Sequence, residues 1–128
     1  VSRFRLLLVE DDDINQAVVV GLLTSLGYAE VVVASDGVQA VEAVEAGEFD
    51  LVLMDVRMPN MDGREATRRI RLKYPDLPIL GLTASAQLKE QQACLEAGMD
   101  DVLTKPARRA ALQQALAKHL AQANSESS

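Results

Sequence analysis

The chain has 128 residues, 48% hydrophobic, 25% charged and 3% aromatic, and nineteen Asp and Glu outnumber thirteen Lys and Arg for a net charge of −6. This length suits one compact domain with a buried core, and the acidic balance lacks the basic face that a general nucleic-acid binder needs. A single Cys, Cys94, excludes an internal disulfide and a Cys-based zinc cluster and suits a reducing compartment, while a single His, His119, excludes a multi-His metal site.

The start, Val1-Ser2-Arg3-Phe4-Arg5, carries neither an initiator Met nor the apolar core of a signal peptide, which points to a chain cut from something longer or processed. Residues 6–9 then read as a strand, and Glu10-Asp11-Asp12-Asp13 follows its end. Asp12 and Asp13 precede a helical pattern, where Asp caps free N–H groups and meets the positive helix end. Ile14, Ala17, Val18, Gly21, Leu22 and Leu26 recur at helical spacing and are read as the core stripe of that helix. Residues 31–34 predict a second strand, and Ser35-Asp36-Gly37 after it reads as an ordinary loop and helix cap. The third strand, 51–54, runs into Asp55. Beyond it Arg64, Arg68, Arg69 and Arg71 read as a solvated basic stripe. A fourth strand at 79–82 leads to Thr83-Ala84-Ser85, and Cys94 on the next helix reads as a small packing residue. A fifth strand at 102–103 is closed by Thr104-Lys105-Pro106, with the X-Pro bond as a rigid corner. A last helix from 107 to about 123 is rich in strong helix formers, with His119 read as a surface residue and 123–128 as a solvated tail. Gly27, Gly47 and Gly98 follow helical runs where a left-handed terminal residue is wanted.

The strands are nearly continuous hydrophobes, as expected of a parallel sheet buried on both faces. Five strand-then-helix units predict a single doubly wound α/β domain over 1–128 with its core at about 4–122. No run of 18 apolar residues encodes a membrane span, and no direct membrane contact is expected. In such sheets function lies outside the carboxyl ends of the strands. That edge gathers Glu10, Asp11, Asp55, Thr83 and Lys105. Asp55 interrupts an apolar strand, and a buried, unpaired charge there costs several kcal/mol. Carboxylates so close repel unless a cation sits among them, and an oxygen-only, histidine-free set suits Mg²⁺. The site therefore reads as a carboxylate that holds a divalent ion and can act as a nucleophile. Lys105 at the end of the fifth strand can reach phosphoryl oxygens, and the Thr83 hydroxyl can donate to the same oxygens or simply end its strand.

Leu8-Val9-Glu10-Asp11-Asp12, Met54-Asp55-Val56-Arg57-Met58-Pro59-Asn60-Met61-Asp62-Gly63, Leu82-Thr83-Ala84 and Lys105-Pro106, in this order and spacing, resemble the receiver domain of two-component response regulators over residues 4–122. Asn15-Gln16 and the Met58–Gly63 run look most like receivers attached to hybrid sensor histidine kinases. The resemblance implies a five-stranded parallel sheet of order 2-1-3-4-5 with five helices. It implies that Asp55 accepts a phosphoryl group from a phosphohistidine on a histidine kinase or histidine-phosphotransfer domain. Mg²⁺ (or Mn²⁺) would be held by Asp11, Asp55 and the Arg57 main-chain carbonyl, with Glu10 acting through water, while Thr83 and Lys105 contact the phosphoryl oxygens. Arg57 and Ser85 would tune the phosphate's lifetime. The exposed face of the first helix would dock the phosphotransfer partner, and the face over residues 86–120 would change its packing and support a weak dimer. The domain would be a cytoplasmic signalling unit, in a membrane-bound kinase its cytoplasmic part, that phosphorylates and dephosphorylates itself with Mg²⁺ and is not a stand-alone enzyme.

Receivers commonly carry Tyr or Phe three residues before the lysine, where this chain has Val102. The usual aromatic switch is therefore absent, which favours a phosphate relay with a weak conformational readout. A haloacid-dehalogenase-type phosphatase needs an Asp two residues beyond the nucleophile, where Arg57 stands, and a Rossmann binder or P-loop needs a Gly-rich turn where Glu10-Asp11-Asp12-Asp13 stands. A degenerate receiver that binds proteins without being phosphorylated remains the open alternative.

Overall fold

A computed structural model of the chain describes residues 4–127, with side chains over 4–120. The strands are β1 (Arg5–Val9), β2 (Glu30–Ala34), β3 (Leu51–Asp55), β4 (Ile79–Thr83) and β5 (Asp101–Thr104). They alternate with the helices α1 (Asp13–Ser25), α2 (Gly37–Ala46), α3 (Gly63–Arg71), α4 (Leu88–Ala97) and α5 (Arg109–Ser127). All pairings are parallel, in the order β2-β1-β3-β4-β5. The strand order thus reverses at β1, and the boundary between β1 and β3 is the switch point where such sheets open a crevice at their carboxyl edge.

Strand alternation divides the core into two layers. Leu7, Val9, Val52, Met54 and Ile79 face one side with Ala40, Val44, Ala66, Ile70 and Cys94, so α2, α3 and α4 cover that face. Leu6, Leu8, Leu51, Leu53, Leu80 and Leu82 face the other with Val19, Leu23, Leu112 and Leu116 from α1 and α5. Each buried Leu contributes about 1.5–3 kcal/mol. Burial on both faces explains why the strands read as unbroken apolar runs.

Five expectations are corrected. The buried face of α1 is Val19 and Leu23, while Ile14 and Val18 are 74% and 53% exposed. The helix is apolar nearly all round, so its pattern holds two candidate stripes; of the expected one Ile14, Ala17, Val18 and Gly21 are exposed, while Leu22 and Leu26 are half-buried against the core. His119 is buried, with Nε2 3.4 Å from an Asp101 carboxylate oxygen. It falls on the same helical stripe as Leu112, Ala115 and Leu116, which packs against the sheet. Arg71 leaves the basic stripe: its guanidinium donates to the carbonyls of Tyr74 at 3.0 Å, Leu77 at 2.6 Å and Gly98 at 2.8 Å and to the Asp100 carboxylate at 2.8 Å. Gly27 and Gly98 have positive φ, but Gly47 is extended at φ −135°. α5 also runs past its expected end near residue 123 to Ser127. The expected solvation of 123–128 lies outside the described side chains. Among the described residues no helix is long and apolar enough to cross a membrane.

Candidate functional site

The acidic run after β1 separates into distinct roles. Glu10 N–H donates to Ala34 C=O at 3.0 Å, which continues the sheet path for one residue and buries the Glu10 side chain. Gln16 Nε2 donates to the Glu10 carbonyl at 2.5 Å, and Asp11 N–H donates to the Glu10 carboxylate at 3.0 Å. Asp12 is the N-cap of α1 and accepts from Ile14 N–H at 2.8 Å, and Asp13 lies in the first turn. Asp11 stays exposed at the rim.

Asp55 is the last residue of β3 and is 4% exposed. One carboxylate oxygen each from Glu10, Asp11 and Asp55 lies within 4.8 Å of the others. Lys105 Nζ reaches the Asp55 carboxylate at 2.9 Å and that of Glu10 at 3.0 Å. The lysine is aimed by its backbone, whose N–H donates to Thr83 C=O at 2.7 Å, ahead of a cis Lys105–Pro106 peptide. The cleft over these groups has a volume of about 200 Å³, with Asn15, Arg57 and Ala84 also on its wall.

Burial pushes the Glu10 carboxyl up from its ordinary value, its hydrogen bond with Asp55 adds to the rise, and Lys105 only partly offsets it. Burial alone pulls the Lys105 ammonium down, but its hydrogen bonds to Asp55 and Glu10 outweigh that and raise it. Three carboxylates against one ammonium leave two negative charges on the rim. An all-oxygen donor set with that deficit fits a hard divalent cation.

The structure thus brings Glu10, Asp11, Asp55 and Lys105 together. Thr83 ends β4 and is buried, but its Oγ1 accepts from Ser85 N–H at 3.1 Å, and the residue is not on the cleft wall. The Arg57 side chain is 82% exposed and pairs with Glu90 of α4 at 3.3 Å. Val102 packs into the layer under α2, α3 and α4, with Cγ2 facing Gly81. Sequence reasoning missed Glu90 as the partner of Arg57, Asn15 as a cleft residue and Gln16 as the donor to the Glu10 carbonyl. The helical spacing of Asn15 and Gln16 from the acidic run was a signal for the latter two, whereas nothing in the sequence marks Glu90.

The family model "Response regulator receiver domain" matches residues 6–117. The chain is 46% identical over 112 residues to the sensor histidine kinase RcsC of Salmonella typhi, covering 88% of this chain and 12% of that protein. It is 47% identical over 119 residues to the sensor protein GacS of Pseudomonas syringae pv. syringae, covering 89% of this chain and 13% of that protein. The chain therefore spans about an eighth of these relatives. Among solved structures, the receiver domain of sensor histidine kinase PA1611 from Pseudomonas aeruginosa PAO1 superposes with a TM-score of 0.87 at 43% identity, covering 94% of this chain and 99% of that one. That structure holds a magnesium ion in its active-site cleft. The Saccharomyces cerevisiae receiver domain of Ssk1, solved with the histidine phosphotransfer protein Ypd1, superposes at 0.86 with 28% identity, covering 92% of this chain and 89% of that one. With its doubly wound sheet, its carboxylate–lysine edge and these likenesses, the chain belongs to the response regulator receiver domain family and is of the kind carried by hybrid sensor histidine kinases.

Proposed function

We propose that the chain is the phosphoacceptor of a two-component phosphorelay and that Asp55 is the residue phosphorylated. The observation that carries this is a buried carboxylate at the carboxyl end of the central strand with an ammonium 2.9 Å away and two more carboxylates beside it. An Asp55 oxygen attacks the phosphorus of a phosphohistidine on a histidine kinase or histidine-phosphotransfer domain. The new P–O bond forms as the P–N bond breaks, and the imidazole leaves with its electron pair. Lys105 turns its ammonium to the phosphoryl oxygens, and the Thr83 hydroxyl donates to them after releasing Ser85 N–H. Asp11, Asp55 and the Arg57 main-chain carbonyl would hold Mg²⁺, with Glu10 acting through water; Mn²⁺ suits the same donors. The bound ion supplies charge neutralisation at the transferring oxygens. Water attack on the acyl phosphate returns free Asp55, and Arg57 and Ser85 tune how long the phosphate survives.

The partner docks on the exposed face of α1, where Ile14 and Val18 offer apolar surface beside the cleft and a groove runs past Asn15, Val18, Lys105 and Pro106. The Ssk1–Ypd1 pairing supports this type of partner. Val102 in place of an aromatic favours relay over strong conformational readout. The domain works in the cytoplasm, and Leu88 and Leu95, both exposed on α4, support a weak dimer through residues 86–120. Treatment of the chain with acetyl phosphate and Mg²⁺ tests the reading by intact mass: the wild type gains one phosphoryl group and Asp55→Asn gains none. A wild type that gains none is the degenerate, protein-binding receiver instead.

A further inference from the structure

The chain between β3 and α3 carries Arg57 and is tied down at three points. At its start Val56 N–H donates to Leu82 C=O at 3.0 Å, and at its end Gly63 N–H donates back to Val56 C=O at 2.8 Å. At its tip Gly37 N–H, the first residue of α2, donates to Met61 C=O at 3.1 Å, and Asn60 Nδ2 donates to Asp36 Oδ2 at 2.8 Å. Both crossings leave no room for a side chain. A Cβ on Gly37 would collide with the Met61 carbonyl oxygen, and one on Gly63 with that of Asp55. Asn60 holds a left-handed backbone at φ 66°, which Asn tolerates better than most residues.

Asp36 does more than cap a helix. Its Oδ1 accepts from Gln39 N–H at 2.8 Å as the N-cap of α2. Gln39 Oε1 in return accepts from Ser35 N–H at 2.8 Å, so capping is complete without Oδ2. The second oxygen is committed to Asn60, 24 residues away in sequence. The carboxyl is accordingly held below its ordinary value, first by the Gln39 N–H and then by the Asn60 amide.

We propose that Asp36 and Asn60 are positioning residues for the phosphoacceptor loop: their hydrogen bond pins the loop to the N-terminus of α2 and thereby sets the Arg57 carbonyl and the carboxyl end of β3 for metal and phosphoryl binding. This rests on the phosphoacceptor reading. Outer residues that orient metal ligands typically change affinity by about 10–100-fold when removed.

The test is Mg²⁺ titration calorimetry with parallel thermal melts on the whole chain. In Asn60→Asp the new carboxylate meets Asp36 where a hydrogen bond stood, and the Mg²⁺ Kd is expected to rise about tenfold. The added negative charge alone would tighten cation binding, so weakening reports misalignment of the loop. The double variant Asp36→Asn/Asn60→Asp restores a donor–acceptor pair with its ends exchanged, keeps the net charge and keeps a good N-cap. Its Kd is expected to return to within about twofold of wild type. Where Asn60→Asp does not fold, Asn60→Gly, which accepts φ 66° and deletes the amide, carries the same expected weakening. A single variant that melts earlier but binds Mg²⁺ as well as wild type overturns the inference, as does a double variant no better than the single. Acetyl phosphate labelling of the wild type runs alongside: no label with the Mg²⁺ pattern intact overturns the phosphoacceptor reading and the phosphoryl part of this inference, and leaves the positioning of the metal site standing.

Discussion

Lys105→Met removes the ammonium that bridges Glu10 and Asp55 and keeps most of the side chain's volume. That ammonium lies 3.0 and 2.9 Å from the two carboxylates, whose side chains are 1% and 5% exposed. At an effective dielectric near 20 each pair is worth roughly 5–6 kcal/mol of Coulomb attraction. Releasing the ammonium from burial returns several kcal/mol, so the net loss expected at neutral pH is about 3–5 kcal/mol, against a whole-domain stability of about 5–15 kcal/mol. The loss depends on pH. A carboxyl whose folded pKa is raised keeps its full stability below the unfolded pKa and loses it as pH rises through the folded one. Glu10 is already raised by burial and by Asp55, and without Lys105 nothing offsets this. The variant's deficit is therefore smaller near about pH 5 than near about pH 8. Mg²⁺ narrows it, because the cation's charge replaces the missing ammonium and the variant binds it more tightly than the wild type. Urea denaturation at both pH values, with EDTA or with Mg²⁺, measures all three effects. A loss under about 1 kcal/mol in EDTA near pH 8, or a deficit equal at both pH values, refutes the reasoning.

Arg71→Ala deletes a guanidinium that serves three carbonyls and the Asp100 carboxylate and is expected to cost about 2–4 kcal/mol in urea denaturation. Leu23→Ala should cost about 2–5 kcal/mol, whereas Ile14→Ser with Val18→Ser should stay within about 1 kcal/mol of wild type while slowing phosphotransfer from a histidine-phosphotransfer protein. The same stability loss from both would mean that the outward stripe of α1 is structural after all. Beryllofluoride with Mg²⁺ should leave amide exchange over residues 86–120 little changed, because Val102 replaces the aromatic switch; strong, widespread protection there would contradict the relay reading.

The parallel sheet was legible because two-faced burial forces unbroken apolar strands, and Asp55 was legible because it breaks one. Glu10, Asp11 and Lys105 followed from the rule that sites sit beyond strand ends. The outward stripe of α1 was not legible, since Ile14 and Val18 match the buried Val19 and Leu23 in character and only the sheet decides which set it covers. His119 followed the Leu112–Leu116 stripe into the core, where residue type argued for the surface. The Asp36–Asn60 bond was hidden because Asp36 satisfies a local reading as a helix cap and Asn60 stood only within the Met58–Gly63 run, and their meeting depends on bringing α2 and the β3–α3 loop together.

The central claim is that Asp55 takes the phosphoryl group, and transfer from a phosphorylated histidine-phosphotransfer protein measures it most directly. With Mg²⁺ present, label should leave the histidine and appear on the wild-type chain, and peptide mapping should place it on Asp55. With EDTA, or in Asp55→Asn, the label should stay on the histidine. Equal transfer to Asp55→Asn, or label mapped to another residue of the wild type, would contradict the account.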